Sequence, residues 1–128
     1  MLAYIMVGSS NLKRSAKFYD AALAPLGLVK AGGSDRYIGY GPKNAPQKAQ
    51  FYVTKPYNKK KATAGNGTMI SLVAKSRKAV DGFHAAALAN GGTDEGKPGP
   101  RPADGTNYVA YARDPDGNKI CAYCEKAK

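Results

Sequence analysis

The sequence predicts an α+β fold built from two βαβββ modules in one chain, and three observations carry the prediction. First, the segments VGSSNLKRSAKFYDAALAPLG and LVAKSRKAVDGFHAAALANGG match at an offset of 65 residues, which sets Phe18 on Phe83, Tyr19 on His84, Ala22 on Ala87 and Leu23 on Leu88. Second, within each copy the apolar pattern switches from alternation to helical spacing. Third, YVAYAR and NKICAY, both strand-like, flank Asp116-Gly117 as the arms of a hairpin do. A two-copy repeat of this length is a duplicated module and not a solenoid.

In the first copy Ile5 and Val7 alternate with Tyr4 and Met6 along a short strand. Ser10 or Asn11 is placed to cap a helix that carries Leu12, Ser15, Tyr19, Ala22 and Leu23 along one side, and Gly27 closes it. Three strand candidates follow at 28–31, 36–40 and 50–54. A linker rich in Lys, Gly and Asn occupies about 56–67 and separates module 1 (about 1–57) from module 2 (about 67–128), the two making a single domain over 1–128. In the second copy the strand TMISLVA leads to a helix capped by Ser76, with Val80, Phe83, Ala87 and Leu88 as its apolar stripe and Gly91-Gly92 as its end. Strands are expected at 92–95, 107–112 and 119–124.

A chain of 128 residues with 43% hydrophobic content can bury one modest core. No apolar run approaches the roughly 20 residues needed to span a bilayer, and MLAYIMVGSS lacks the charged start and long apolar core of a signal peptide. A cytoplasmic protein with no membrane partner is the expectation. Two cysteines three residues apart form no disulfide framework, which agrees with a reducing compartment. The charge is unusual: 20 Lys and Arg against 9 Asp and Glu give a formal +11. Such an excess can steer anions, but the basic residues are scattered, with one short run at Lys59, Lys60 and Lys61. Nucleic acid is not expected as a partner.

The stretch RDPDGNKICAYC offers a cation loop, a CxxC pair and a tight turn. The cation loop fails, because Gly117 falls fourth from Asp114 where a calcium loop has its glycine sixth, and strands replace the flanking helices. Glu125 stands twelfth by coincidence. The CxxC fails on parity: on a regular strand Cys121 and Cys124 point to opposite faces. The turn remains, with Pro115 setting one dihedral and Gly117 free to take a positive φ.

Parity also sorts the other strands. With Ile5, Val7, Ile70, Leu72, Ile120 and Ala122 facing the helices, Tyr4, Met6, Met69, Ser71, Val73, Cys121 and Tyr123 face away. The repeat offset sets Tyr4 on Met69, so Tyr4, Met69 and Cys121 are expected on one concave surface, joined by either Phe51 and Val53 or Gln50 and Tyr52.

The duplicated layout, together with GSSNLKRSAKFYDAALAPLGL, FHAAALANGGTDEGKPGPR and YARDPDGNKI, resembles the vicinal oxygen chelate superfamily of glyoxalases, bleomycin resistance proteins and extradiol dioxygenases. The resemblance covers nearly the whole chain and implies a curved sheet around a cavity and a homodimer. In metal-dependent members, a divalent ion is held by a His on the first strand of each module and an acid on the last strand. Those positions match Tyr4, Met69 and Cys121 here, none of them His or carboxylate. His84 falls in a helix and cannot replace a strand ligand. Tyrosine and methionine are poor ligands for such ions, so no metal or other cofactor is expected.

No catalytic residue is assigned. Tyr4 and Cys121 are weak candidates, since a cavity-lining tyrosine and a packed thiol are the simpler readings and no base accompanies Cys121. Arg101, in the loop GKPGPRP, can clamp an anion at a cavity mouth. Tyr37, Tyr40, Tyr52, Tyr108, Tyr111 and Tyr123 can stack on a planar ligand or simply pack. The expected ligand-binding set is therefore Tyr4, Met6, Met69, Ser71, Arg101, Cys121 and Tyr123, and the expected partner a small anionic or aromatic organic molecule. The alternative is a metal-dependent lyase or dioxygenase of the same superfamily.

Overall fold

Each half of the chain forms one four-stranded sheet with a helix packed on it. The computed structural model describes residues 1–125. Module 1 contains β1 (Ile5–Gly8), α1 (Leu12–Leu23), β2 (Leu28–Gly33), β3 (Tyr37–Pro42) and β4 (Phe51–Thr54). Module 2 contains β5 (Met69–Val73), α2 (Arg77–Ala89), β6 (Thr93–Pro100), β7 (Tyr108–Arg113) and β8 (Lys119–Cys124). The strand orders are the same, β1-β4-β3-β2 and β5-β8-β7-β6. In both, the first strand pairs in parallel with the last and the remaining pairs are antiparallel.

The helices begin where their caps dictate. Asn11 accepts from the Arg14 N–H at 3.0 Å and Ser76 from the Ala79 N–H at 3.1 Å, each satisfying a donor the helix leaves open. On α1 the buried side chains are Ser15, Tyr19, Ala22 and Leu23, which the spacing predicts, together with Phe18, while Leu12 is only half-buried. On α2 the stripe shifts. Leu88 is 40% exposed while His84 is 7% exposed, the reverse of what polarity suggests. The reason is Asp94 on β6, which meets His84 Nε2 at 2.8 Å and gives a buried imidazole a partner. That bond, with one from the Gly96 N–H, holds the Asp94 carboxyl below its ordinary range. The segment GKPGP is not a loop, since β6 runs through to Pro100 with two register shifts.

A single core joins both modules: Phe18, Tyr19 and Leu23 of α1 cluster with Val80, Phe83 and Ala87 of α2 and with Ile120 and Ala122 of β8. The DPDGN turn connects β7 to β8, closed by the Gly117 N–H donating to the Asp114 carbonyl at 2.9 Å, with Gly117 at φ 91. Its two carboxylates reach back into module 1. Asp114, 3% exposed, accepts from the Tyr19 hydroxyl at 2.6 Å, from the Asp116 and Asn118 N–H groups at 2.9 Å each and from the Asn118 amide at 2.8 Å. Asn118 also donates to the Gly8 carbonyl at 2.9 Å. Asp116 accepts from the Ser10 N–H, the Arg14 guanidinium and the Ser15 hydroxyl at 2.9, 3.0 and 3.2 Å, so its charge lies at the N-terminus of α1 where the helix dipole favours it. Burial first, then the neighbouring Asp114 charge, pushes the Tyr19 phenol far above its ordinary range, so it stays a donor at any working pH.

Asp114→Ala therefore strands the Tyr19 hydroxyl and the Asn118 backbone N–H and leaves the Asn118 amide only its bond to Gly8. At ~1–3 kcal/mol per orphaned buried donor, the variant should lose about 10 °C of melting temperature in a calorimetric scan. A loss under about 2 °C would contradict this role for the turn.

Candidate functional site

The two sheets present their edge strands β1 and β5 to a common cleft of about 400 Å³. Tyr4 and Ile5 line it from module 1, and Met69, Ile70, Ser71 and Leu72 from module 2. Leu28, Tyr40 and Phe51 add apolar surface, while Lys48 and Gln50 are among its few polar residues. The Tyr40 hydroxyl donates to Asp20 at 2.8 Å, and burial, reinforced by that bond, raises its pKa far out of reach of any working pH.

Beside the cleft, each sheet turns a tyrosine-bearing face away from the helices. On module 1 the rings of Tyr4 and Tyr37 lie 5.3 and 5.9 Å from that of Tyr52. Tyr52, not Phe51 or Val53, thus continues this face, since the latter two are buried toward the helix. The Tyr52 ring lies across Gly39, its partner on β3, where a Cβ would come within 2.7 Å of it. Module 2 repeats the device: Tyr111 lies across Gly96, where a Cβ would come within 2.5 Å. Arg101 and Lys119 stand over the Tyr111 ring at 5.9 and 5.2 Å.

The expected site residues distribute over these surfaces. Tyr4, Met69 and Ser71 border the cleft. Cys121 pairs with Ser71 across the β5–β8 ladder and with Tyr111 across β7–β8, so it lies one strand in from the cleft. Tyr4 immediately precedes β1 of the first sheet while Met69 and Cys121 belong to the second, so the three do not share one continuous sheet surface. Met6 is exposed on the Tyr52 face, and Tyr123 is half-buried beside Val73 and Val109. Arg101 sits just past the end of β6, its guanidinium donating to the Lys97 carbonyl at 2.9 Å. Lys119 escaped the sequence reading, although its alternation with Cys121 on one strand is a signal parity could have used.

Cys121 is buried, and burial pushes its thiol pKa up; a hydrogen bond from Ser71 and the charges of Lys119 and Arg101 oppose the shift without cancelling it. Cys124 faces the core on the other side of the strand, and both cysteines are free. Neither pairs with a base, and Glu125 is exposed beyond the end of β8. The phenol, thioether and thiol of Tyr4, Met69 and Cys121 do not fit a divalent centre, and among the described residues no three His, Cys, Asp or Glu side chains converge. No helix among the described residues is long and apolar enough to cross a membrane.

Residues 1–122 match the family described as Glyoxalase/Bleomycin resistance protein/Dioxygenase superfamily. A glyoxalase/bleomycin resistance protein from Albidiferax ferrireducens is 42% identical, with 95% of this chain and 96% of that one covered and a TM-score of 0.84. A glyoxalase-related enzyme from Fulvimarina pelagi is similar in fold, at 17% identity over 97% of this chain and 87% of that one, with a TM-score of 0.73. Glyoxalase I from Zea mays superposes with a TM-score of 0.70 at 24% identity, over 97% of this chain and 46% of that one. No curated protein matches the chain.

A raised thiol pKa keeps the thiolate scarce at neutral pH, and burial blocks access. Alkylation of Cys121 in the native protein at pH 7.5 should therefore run at least ~100-fold slower than that of free cysteine and reach full rate only on denaturation. Rapid stoichiometric labelling of Cys121, followed by mass spectrometry, would contradict the packed-thiol assignment.

Proposed function

Because the chain belongs to the Glyoxalase/Bleomycin resistance protein/Dioxygenase superfamily, we propose that it uses this fold to bind a small organic molecule, planar or anionic, without the superfamily's usual metal. The cleft between β1 and β5 carries the reading. Its volume of about 400 Å³ falls in the range of small-molecule sites, roughly 300–1,000 Å³, and its lining is apolar with a few polar groups. The Tyr4 ring, one wall of the cleft, supports stacking on a planar ligand, and Ser71 supplies a hydroxyl at the opposite wall. Arg101 and Lys119, on the sheet face that adjoins Ser71, favour a ligand with a carboxylate or similar group directed along that face.

The same faces support a homodimer. Met6 and Val73 are 50% and 78% exposed on otherwise ordered strands, and a second copy laid against them would bury apolar surface that now meets water. Two free, buried cysteines are compatible with a reducing, cytoplasmic location. The enzyme alternative, a lyase or dioxygenase of the superfamily, finds no donor set at Tyr4, Met69 and Cys121, and no acid–base pair at Cys121 takes its place.

A calorimetric screen of aromatic carboxylates is the direct test. At least one should bind one to one, and Ser71→Trp, which fills the cleft, should weaken it at least tenfold. Arg101→Ala should weaken the carboxylates and leave their neutral amides unchanged. Binding that survives Ser71→Trp would place the ligand elsewhere and overturn the proposal.

A further inference from the structure

A second cleft, of about 320 Å³, lies at the other end of the β1–β4 pair and has a different chemistry. It is lined by Arg36, Lys55, Lys59, Lys60 and Lys61, with Ser9, Ser10 and Pro56 completing it. Because β1 and β4 run parallel, Tyr4 and Gln50 mark the end at the apolar cleft and Ser9 and Lys55 the opposite end. Five residues at ~3.3 Å each separate the two sites by about 16 Å.

Five cations converge with no carboxylate in the lining, and none of them forms an ion pair among the described residues. Asp116, which accepts from the N–H of the lining residue Ser10, also binds Arg14 and Ser15, and Asp35, next to Arg36 in the chain, does not line the cleft. Like charges at such spacing repel, yet the backbone holds them together. The Arg36 carbonyl accepts from the Lys55 N–H at 2.8 Å, which sets the β2–β3 turn beside the end of β4. The Lys59 N–H donates to the Pro56 carbonyl at 3.0 Å, the Lys60 N–H to the Asn58 side chain at 3.0 Å, and the Ala62 N–H to the Ser10 hydroxyl at 2.8 Å. Lys59 itself sits at φ 64, a left-handed conformation that costs a non-glycine residue free energy and here is over-determined by its neighbours. A loop free to relax would spread its lysines into solvent. This one is pinned at both ends, and its exposed lysines border one cavity.

We propose that this cleft is a binding site for a small oligophosphate group, free or carried by a larger organic molecule, and that it is separate from the apolar cleft. Four of the five cations are lysines, compact point charges that suit a multiply charged, tetrahedral anion better than a planar carboxylate. The Ser10 hydroxyl accepts from Ala62, leaving its own proton to donate to a phosphate oxygen. The volume suits a short phosphate chain.

The test is isothermal titration of the full chain with inorganic tripolyphosphate, alongside amide NMR. One molar equivalent should bind, with affinity falling at least tenfold between about 50 and 200 mM salt, and the amide signals of Ser10 and residues 59–62 should shift. Lys60→Gln with Lys61→Gln should weaken binding at least tenfold. Lys17→Gln with Lys78→Gln, which removes the same charge from the two helices, should change it less than twofold. Equal weakening by both pairs, or no saturable binding, would overturn the proposal, as would shifts confined to Tyr4 and Met69.

Discussion

The buried carboxylate of Asp114 is the constraint on which the rest of the molecule depends. A charge at 3% exposure is tolerated only with its acceptor capacity filled, and its partners come from both modules: Tyr19 on α1, and Asn118 and the Asp116 N–H in its own turn. Asn118 then reaches Gly8 at the end of β1, and Asp116 holds the first turn of α1. One five-residue turn thus fixes the start of module 1's helix, the end of its first strand and the start of β8 relative to one another. Since β8 pairs with β5 and β4 with β1, the separation of the two edge strands follows from that turn. The apolar cleft is the space this arrangement leaves between them.

Much of this was legible in the sequence because it is local. The repeat announced two sheets of like strand order, of the cap candidates Ser10 and Asn11 it is Asn11 that caps α1 as Ser76 caps α2, and strand parity separated Cys121 from Cys124. What stayed hidden depends on partners far away in the chain. DPDGN reads as a turn from its own residues, but its carboxylates find partners about a hundred residues earlier, and nothing in five residues signals that. Leu88 and His84 exchanged places for a similar reason, since only the fold shows Asp94 waiting opposite the histidine. Likewise the cations of the second cleft look scattered, until the β3–β4 pairing brings Arg36 beside Lys55 and Ser10 ties down the loop after it.

The +11 charge consequently has three parts. Part of it is spread over the other Lys and Arg, largely offset by the nine Asp and Glu, and steers anions only weakly. A concentrated part lines one cavity, and a smaller pair, Arg101 and Lys119, stands over Tyr111 beside Cys121. The apolar cleft between the edge strands is lined mostly by aromatic and aliphatic side chains. Anion capture and apolar enclosure are thereby assigned to different ends of the same strands.

Tyr4, Met69 and Cys121 offer a phenol, a thioether and a thiol, a set that suits no hard divalent ion. The most direct measurement is elemental analysis of the tag-free protein after dialysis, followed by thermal scans on reloading with zinc, nickel, manganese or iron. These side chains predict far less than one metal per chain and no upward shift in melting temperature. A stoichiometric divalent ion that survives dialysis and stabilises the fold would contradict the metal-free reading.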